Sequence, residues 1–385
     1  MKEFDCVIIG GGASGIMTAL SIDSNKSVLI LEKDTRIGKK ILATGNGKCN
    51  LTNEHISADC YNDPRAIDYI NRFDSVKTRH LFEQFGLMTF SDSEGRVYPM
   101  SSSANSVLDI LYARVNCYSN ISVATESKIN CIEILDNGVA KYHIEAENED
   151  YYTNNLVLAT GGNQGVQYLE MLGVRYNRFA PALVGLKTVT NKFLAGVRVS
   201  DVRVVADNFD EVGEILFKED GISGIVIFNL SSVFARHNIH NAIVTIDMLP
   251  NMSNNELRKF LLNSFDNNPL YALSTVLEGI MHKSLARNIL YRCGINDIGI
   301  RHCDRKCIDV VINEIKNYKI KIIGHSDNNQ VCTGGVPLEM LSDILEYKNE
   351  SGLYIVGELA DVDGKCGGYN LQWAWTSGRI VGENI

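Results

Sequence analysis

Three glycines and one acid carry the chemistry most easily read from this chain. Gly10, Gly12 and Gly15 have G-x-G-x-x-G spacing, and Glu32 lies twenty residues after Gly12. An apolar run, Phe4 to Ile9, leads into the glycines, and a second, Val28 to Leu31, ends at Glu32-Lys33. Gly10 permits a tight turn out of a strand, Gly12 lets a pyrophosphate approach the backbone, and Gly15 lets helix and strand pack closely. Ala13 and Ser14 then open a helix whose free N–H groups and partial positive charge face the phosphates. Glu32 stands where a carboxylate accepts hydrogen bonds from ribose hydroxyls, and its charge opposes the 2′-phosphate of NADP. The pattern indicates a bound dinucleotide. By itself it does not separate FAD from NAD.

Further residues group into loops that could close over such a ligand. The segment 38–53, GKKILATGNGKCNLTN, has no helical or strand period and is dense in donors: Lys39, Lys40, Thr44, Asn46, Lys48, Asn50 and the N–H groups of Gly45 and Gly47. It leaves the strand ending at Glu32, at the sheet edge where doubly wound folds bind ligands. A later buried-strand run, Asn155 to Ala159, ends in Thr160-Gly161-Gly162, where glycines permit close approach. Towards the C-terminus a strand ends at Gly357-Glu358, and Gly367-Gly368 opens a helix through Tyr369, Asn370 and Leu371. Glu358 could accept hydrogen bonds from ribityl hydroxyls. The N–H groups of 368–371 could face the pyrimidine edge of a flavin and favour its reduced anion. No Ser-His-Asp set or carboxylate pair stands out, and His237 and His240 read as surface or core residues. Cys303 and Cys307 could share a helix face, but nothing completes a zinc set, so no metal is expected. Catalytic residues stay unassigned; the candidates are Cys49, Cys366, Arg96 and Tyr98. The two thiols could form a redox pair, fill space beside a ring, or include one proton donor.

The elements that must hold these residues come next. The chain has 385 residues, 45% hydrophobic and 22% charged, enough for two or three domains. Its net charge of −9 disfavours nucleic acid as main partner. No apolar run approaches the roughly 18 residues of a membrane span. With no room for a signal peptide before Phe4, a cytoplasmic location and reduced cysteines are expected. Residues 79–87 read as a helix ending at Gly86, and Ser101–Val115 as another. Ile121–Val123, Ser127–Leu135 and Tyr142–Ala146 read as strands of an antiparallel meander. From Pro181 the chain turns β-rich, with strands expected at Leu183–Val189, Val197–Val205, Glu214–Phe217, Ile225–Leu230 and Ala242–Asp247. The alternation of Val197, Val199, Val202 and Val204 breaks at Ser200-Asp201, as at a bulge. Ser253 and Glu256 suggest a capping box. Leu257, Phe260, Leu261 and Phe265, then Ile308, Val311, Ile312 and Ile315, have helical spacing. Ile320–Ile323 reads as a return strand. In the last helix Leu371, Ala374, Trp375 and Gly378 define one buried face.

At Gly38–Asn53 the chain resembles the BaiN/RdsA (YhiN-like) family of FAD-dependent oxidoreductases, with Lys48 where the family has arginine. Glu94–Pro99 resembles the family's GRVFP. The segments Val331–Pro337, Gly352–Leu359 and Asp361–Trp375 resemble it almost residue for residue. After Gly162 the chain departs, with only Asn163–Tyr168 where relatives carry a longer stretch. The resemblance implies an α/β fold: a Rossmann-like FAD-binding domain of the glutathione-reductase type with an inserted domain, β-barrel-like plus helical. Residues 1–184 would form its first part and 333–385 its second. The insert would be 185–332, its β part 185–250 and 319–332 and its helical part 251–318. The resemblance implies FAD as cofactor and Ile129 as a backbone contact to it. NAD(P)H, if used, would visit transiently, since no second G-x-G-x-x-G follows a strand. The implied reaction is hydride transfer through flavin N5 to an activated, enone-type C=C bond of a small molecule. Alternatives are an amine or alcohol oxidase using oxygen, an enzyme of the fumarate-reductase or ketosteroid-dehydrogenase type, and an FAD-binding protein that modifies RNA or senses redox state. The oligomeric state is not legible.

Overall fold

The computed structural model describes residues 2–135, 138, 140–189, 191–296, 304–326 and 331–385. Two compact units emerge, 1–181 with 330–385, and 182–329. Each boundary lies three residues before the one read from the sequence.

The first unit is built on strand Lys2–Ile9. It pairs in parallel with Val28–Leu31 on one side and with Asp150–Leu158 on the other, so that Val7 sits between Leu29 and Leu156. Leu353–Ile355 adds in parallel beside Leu156–Leu158. Such a parallel core is covered on both faces, which is why Val28–Leu31 is wholly buried. The expected meander is present in Ile129–Ile134, Tyr142–Ala146 and the start of Asp150–Leu158. Ile121–Ala124 is not part of it. It pairs in parallel with Val28–Leu31 at the opposite edge of the sheet. A short strand reads alike in either place, and only long-range pairing assigns its neighbour.

Helices Ala13–Ser21 and Tyr369–Asn384 pack against each other at backbone distance. A methyl group on Gly378 would lie 2.4 Å from the Ser14 carbonyl oxygen, and one on Gly382 would lie 2.5 Å from that of Thr18. The matching order of these contacts makes the two helices parallel. The C-terminal helix is buried nearly all round, not on one face: Gln372, Trp373, Trp375, Thr376, Ser377, Gly378, Ile380, Val381 and Gly382 are all inside. Its polar groups are satisfied there. Trp373 Nε1 donates to the Gly357 carbonyl (2.9 Å), Trp375 Nε1 to that of Leu51 (3.0 Å), and Gln372 Nε2 to that of Phe73 (2.7 Å).

The second unit contains a closed six-stranded barrel of Leu186–Thr188, Gly221–Ser223, Phe209–Phe217, Arg198–Ala206, Ala242–Asp247 and Tyr318–His325. The bulge falls between Val199 and Val202, as the broken alternation indicates. The capping box of Ser253 and Glu256 opens helix Asn254–Asn267. Two expectations are corrected. The strand expected at Leu183–Val189 is shorter, Leu186–Thr188, because Leu183 at φ +53° follows the end of the preceding strand Asn177–Ala182. Ile225–Leu230 is not a strand but the first half of helix Ile225–Arg236. Its apolar run fits a buried strand or a buried helix equally well. The backbone decides, because Gly224 at φ +117° starts the helix, and Val226, Ile227, Leu230 and Phe234 bury one side of it. Among the cysteines Cys307 is disulfide-bonded, against the expectation of reduced thiols throughout. Cys303 lies outside the described residues.

Candidate functional site

The glycine turn forms as its spacing demands, but its three glycines are small for different reasons. Gly10, at φ +107°, lies against the next strand, where a methyl group would sit 2.5 Å from the Ala159 carbonyl oxygen. A methyl on Gly15 would sit 2.0 Å from the Gly10 carbonyl oxygen. Gly12 differs. A methyl there would meet nothing nearer than 3.9 Å, so protein packing does not require glycine at this position. The turn leaves a cradle above the start of helix Ala13–Ser21. That helix has neither a side-chain cap nor an acid in its first turn. Its hydrogen bonds begin with the Ile16 N–H to the Gly12 carbonyl, so the earlier N–H groups have no partner within the helix.

Glu32 is half-buried beside this turn. Its Oε2 accepts the Gly11 N–H (2.9 Å) and its Oε1 the Asp34 N–H (2.9 Å). Each oxygen keeps a lone pair for a hydroxyl donor. Lys33 is exposed, and Lys39 is drawn to Asp34 (3.1 Å). Ile129 is buried at the start of its strand opposite Ala146.

Glu358 joins three segments. It accepts the N–H of Gly162 (3.1 Å) and that of Cys332 (2.5 Å), and Lys40 Nζ lies 3.8 Å away. Burial raises its pKa, opposed by the Lys40 charge and the two N–H donors. Cys332 carries no signal in the sequence for this role, since only its backbone is used. Gly161, at φ +70°, lies beneath the Lys40 ammonium and the Glu358 carboxylate. The Thr160 hydroxyl is buried with no hydrogen-bond partner among the described residues.

The loop 38–53 and the Gly367-Gly368 turn meet at the other end of the site. Gly45, Asn46 and Cys49 all have positive φ. Gly368 packs so closely that a methyl there would lie 2.5 Å from the Thr52 carbonyl oxygen and 2.7 Å from Asn50 Oδ1. Asn50 Oδ1 is itself buried without a hydrogen-bond partner among the described residues. Asn53 Nδ2 holds the Gly367 carbonyl (2.9 Å). Both backbone groups of Leu51 are taken, by the Val97 carbonyl and Trp375. The Asn370 side chain closes on both backbone groups of Gly364 (2.8 Å each). What 369–371 offer outward is the uncapped start of a sixteen-residue helix, again without an acid in its first turn.

The helix pairing sets the spacing of the two uncapped ends. Ser14 lies beside Gly378, one residue into its helix, whereas Gly378 lies nine residues beyond Tyr369. The difference of eight residues offsets the two positive ends by about 12 Å along the helix axes. A ligand with two electron-rich groups joined by an extended linker suits that offset.

The four catalytic candidates separate. Cys49 is wholly buried, and burial pushes its thiol up to about 12. It forms no disulfide with Cys366. Arg96 is held by Asp92 (2.7 Å) and Glu94 (3.0 Å). Tyr98 and Cys366 are each half-buried, and both feel the Arg96 charge. Among the described residues no group of His, Cys, Asp or Glu could hold a metal, and no helix is long and apolar enough to cross a membrane.

A family model described as the HI0933-like protein Rossmann domain matches residues 4–384. The chain is 35% identical to a 3-dehydro-bile acid delta(4,6)-reductase of Clostridium scindens, covering 98% of this chain and 97% of that one. It is 26% identical to a ribosomal RNA dihydrouridine synthase of Escherichia coli K12, covering 100% and 98%. Among solved structures, a 3-ketosteroid-delta4-(5alpha)-dehydrogenase from Rhodococcus jostii RHA1 superposes with a TM-score of 0.53 at 13% identity, over 99% of this chain and 96% of that one. That likeness concerns the fold, which is of the Rossmann type that binds FAD.

Proposed function

The chain belongs to the HI0933-like family, and we propose that it is an FAD-dependent oxidoreductase that adds hydrogen across an activated C=C bond. The observation that carries the cofactor assignment is Gly12, a glycine that no protein contact requires, set at an uncapped helix end. The pyrophosphate would lie against Gly12, Ala13 and Ser14, the adenosine ribose on Glu32, and the adenine beside the Ile129 backbone. Lys40, Thr160, Gly161, Gly162, Gly357 and Glu358 would line the middle of the molecule. Thr44, Gly45, Asn46, Gly47, Asn50 and Leu51 would cover the ring with Gly367, Gly368, Tyr369, Asn370 and Leu371. The second helix end would face the pyrimidine edge, and the offset of about 12 Å matches a flavin edge held apart from a pyrophosphate by a ribityl chain. When bound, this cofactor supplies a hydride from N5.

Two named relatives support the reaction class. Delta(4,6)-reductase and dihydrouridine synthase both denote hydrogen added to a C=C bond. A small enone-type substrate is favoured by the higher identity to the first. An RNA substrate is the second reading, supported by the match to the second over the whole chain and opposed by the net charge of −9. NAD(P)H visiting transiently is the proposed electron donor.

The test has two stages. Purified protein should be yellow and release FAD, not FMN, on denaturation. A colourless protein that does not take up added FAD ends the reading. Reduced anaerobically, it should then be reoxidised by enones faster than by amines' imine products or quinones. Filter binding and reduction of ribosomal RNA would instead favour the second reading.

A further inference from the structure

Several polar side chains gather where the loop 38–53 meets the Gly367-Gly368 turn, and the fold occupies them in turn. The Thr44 hydroxyl donates to the Ile41 carbonyl (2.6 Å) and that of Thr52 to Gln372 Oε1 (2.6 Å). Asn53 is held at both ends, donating to the Gly367 carbonyl (2.9 Å) and accepting the His55 N–H (2.8 Å). Asn370 is closed on both backbone groups of Gly364. Asn50 differs from all of these. It is only 8% exposed, its Oδ1 is buried, and neither end of its amide is hydrogen-bonded among the described residues.

A buried amide left unpaired destabilises the fold, because water satisfies both of its ends in the unfolded chain. In a native structure such a group calls for a partner. Its place indicates which. A methyl group on Gly368 would lie 2.7 Å from Asn50 Oδ1, so the amide stands against the residue that opens helix Tyr369–Asn384. That helix end has no side-chain cap and no acid in its first turn. The two features are independent, one a side chain of the loop 38–53 and the other a set of backbone donors. To satisfy an amide, a ligand must offer an acceptor for Nδ2 and a donor for Oδ1 on neighbouring atoms. A phosphate offers acceptors only. An imide offers C=O, N–H and C=O in a row. It matches the amide and leaves one carbonyl for the helix N–H groups.

We propose that Asn50 selects the flavin ring by its imide edge, its amide pairing with N3–H and a neighbouring carbonyl while the start of the C-terminal helix takes the other carbonyl. This role rests on the FAD reading above. It is one of positioning and specificity, and no proton or electron passes through Asn50. Two asparagines of one loop then have separate tasks. Asn53 ties the loop to the Gly367 turn with or without a cofactor, whereas Asn50 gains its partner only when the ring is bound. Without FAD, removing the Asn50 amide relieves an unpaired buried group. With FAD, removing it leaves the imide of the ring unpaired.

The experiment titrates FAD-free wild type, N50A and N53A with FAD and with 3-methyl-FAD, in which a methyl group replaces the N3 proton. Flavin fluorescence gives each Kd, and the denaturant midpoint of each FAD-free protein is measured alongside. Wild type is expected to bind 3-methyl-FAD about 10–100-fold more weakly than FAD. N50A should lose a similar factor for FAD and bind the two flavins within about threefold of each other, since the space left by the amide admits the methyl group. Its FAD-free midpoint should equal or exceed that of wild type. N53A should lower the FAD-free midpoint and keep the preference for FAD, the pattern a structural role produces. Wild type binding both flavins alike would overturn the role of Asn50 and leave the FAD reading standing. So would an N50A that keeps the wild-type preference, or one whose FAD-free midpoint falls as that of N53A does. A wild type that binds neither flavin would overturn the FAD reading, and this role with it.

Discussion

The first unit contains two long helices that begin at glycines, Ala13–Ser21 after Gly12 and Tyr369–Asn384 after Gly368. They look alike in sequence, each uncapped and without an early acid. Their glycines are small for opposite reasons. Gly12 has room for a methyl group, whereas Gly368, at φ +99°, is hemmed by Thr52 and Asn50. The fold requires the second glycine but not the first, which under the proposed function leaves room for the pyrophosphate. Where a glycine's missing side chain would collide with protein, the cause is packing. Where it would not, and φ is one that any residue adopts, as the −79° of Gly12 is, neither packing nor backbone conformation requires glycine.

The largest expected effect breaks the link between the two helices. Gly378→Val drives a side chain into the Ser14 carbonyl and should cost about 3 kcal/mol or more of stability, read as a lowered denaturant midpoint. Both helix ends should then lose FAD together. Gly12→Ala separates ligand from fold. The added methyl fits the protein but stands where the pyrophosphate would lie. FAD affinity should fall about a hundredfold, or roughly 2.7 kcal/mol, by fluorescence titration. The FAD-free protein should keep its stability to within about 0.5 kcal/mol. If instead the stability of the FAD-free variant collapses, the contrast between the two glycines is wrong.

Glu32→Ala sharpens the comparison, because this side chain holds the turn and, under the proposed function, the ribose as well. Losing hydrogen bonds from ribose to a charged group should weaken FAD by roughly 1.5–3 kcal/mol. Unlike Gly12→Ala, it should also lower the stability of the FAD-free protein, by about 1 kcal/mol, since the Gly11 and Asp34 N–H groups lose their acceptor. The smallest effect is expected at the thiols. Anaerobic titration should deliver two electrons to wild type and two to the Cys49→Ser, Cys366→Ser double variant. A thiol held at about 12 and sealed from solvent is not a ready thiolate. Four electrons in wild type alone would make the pair redox-active.

Much of the scaffold was legible because its signals are local. The Gly10–Gly15 spacing, the acid at 32, the bulge after Val199 and the Ser253–Glu256 capping box each depend on a few neighbouring residues and backbone dihedrals. All four appear in the structure where their spacing puts them. The elements that misled have signals compatible with two environments. Ile225–Leu230 is apolar enough for a buried strand or helix, and Ile121–Ala124 could pair with either edge of the sheet. The C-terminal helix shows an apolar stripe, yet its Gln372, Thr376 and Ser377 are buried too, on partners at Phe73 and Gly357 that lie far away or in another segment.

The sequence by itself determined a glycine turn of the dinucleotide-binding type, a parallel sheet and an irregular, glycine-rich loop at 38–53, because glycine spacing, alternation and turn chemistry act over short stretches. Tertiary structure alone decided which side chains remain available for chemistry. Only the fold brings Asn53 onto the Gly367 carbonyl, occupies both backbone groups of Leu51 with Val97 and Trp375, and seals Cys49 inside. Availability is a property of the neighbours that folding supplies. An arginine, a tyrosine and two cysteines in a list of residues are equal candidates until burial and competing ion pairs separate them.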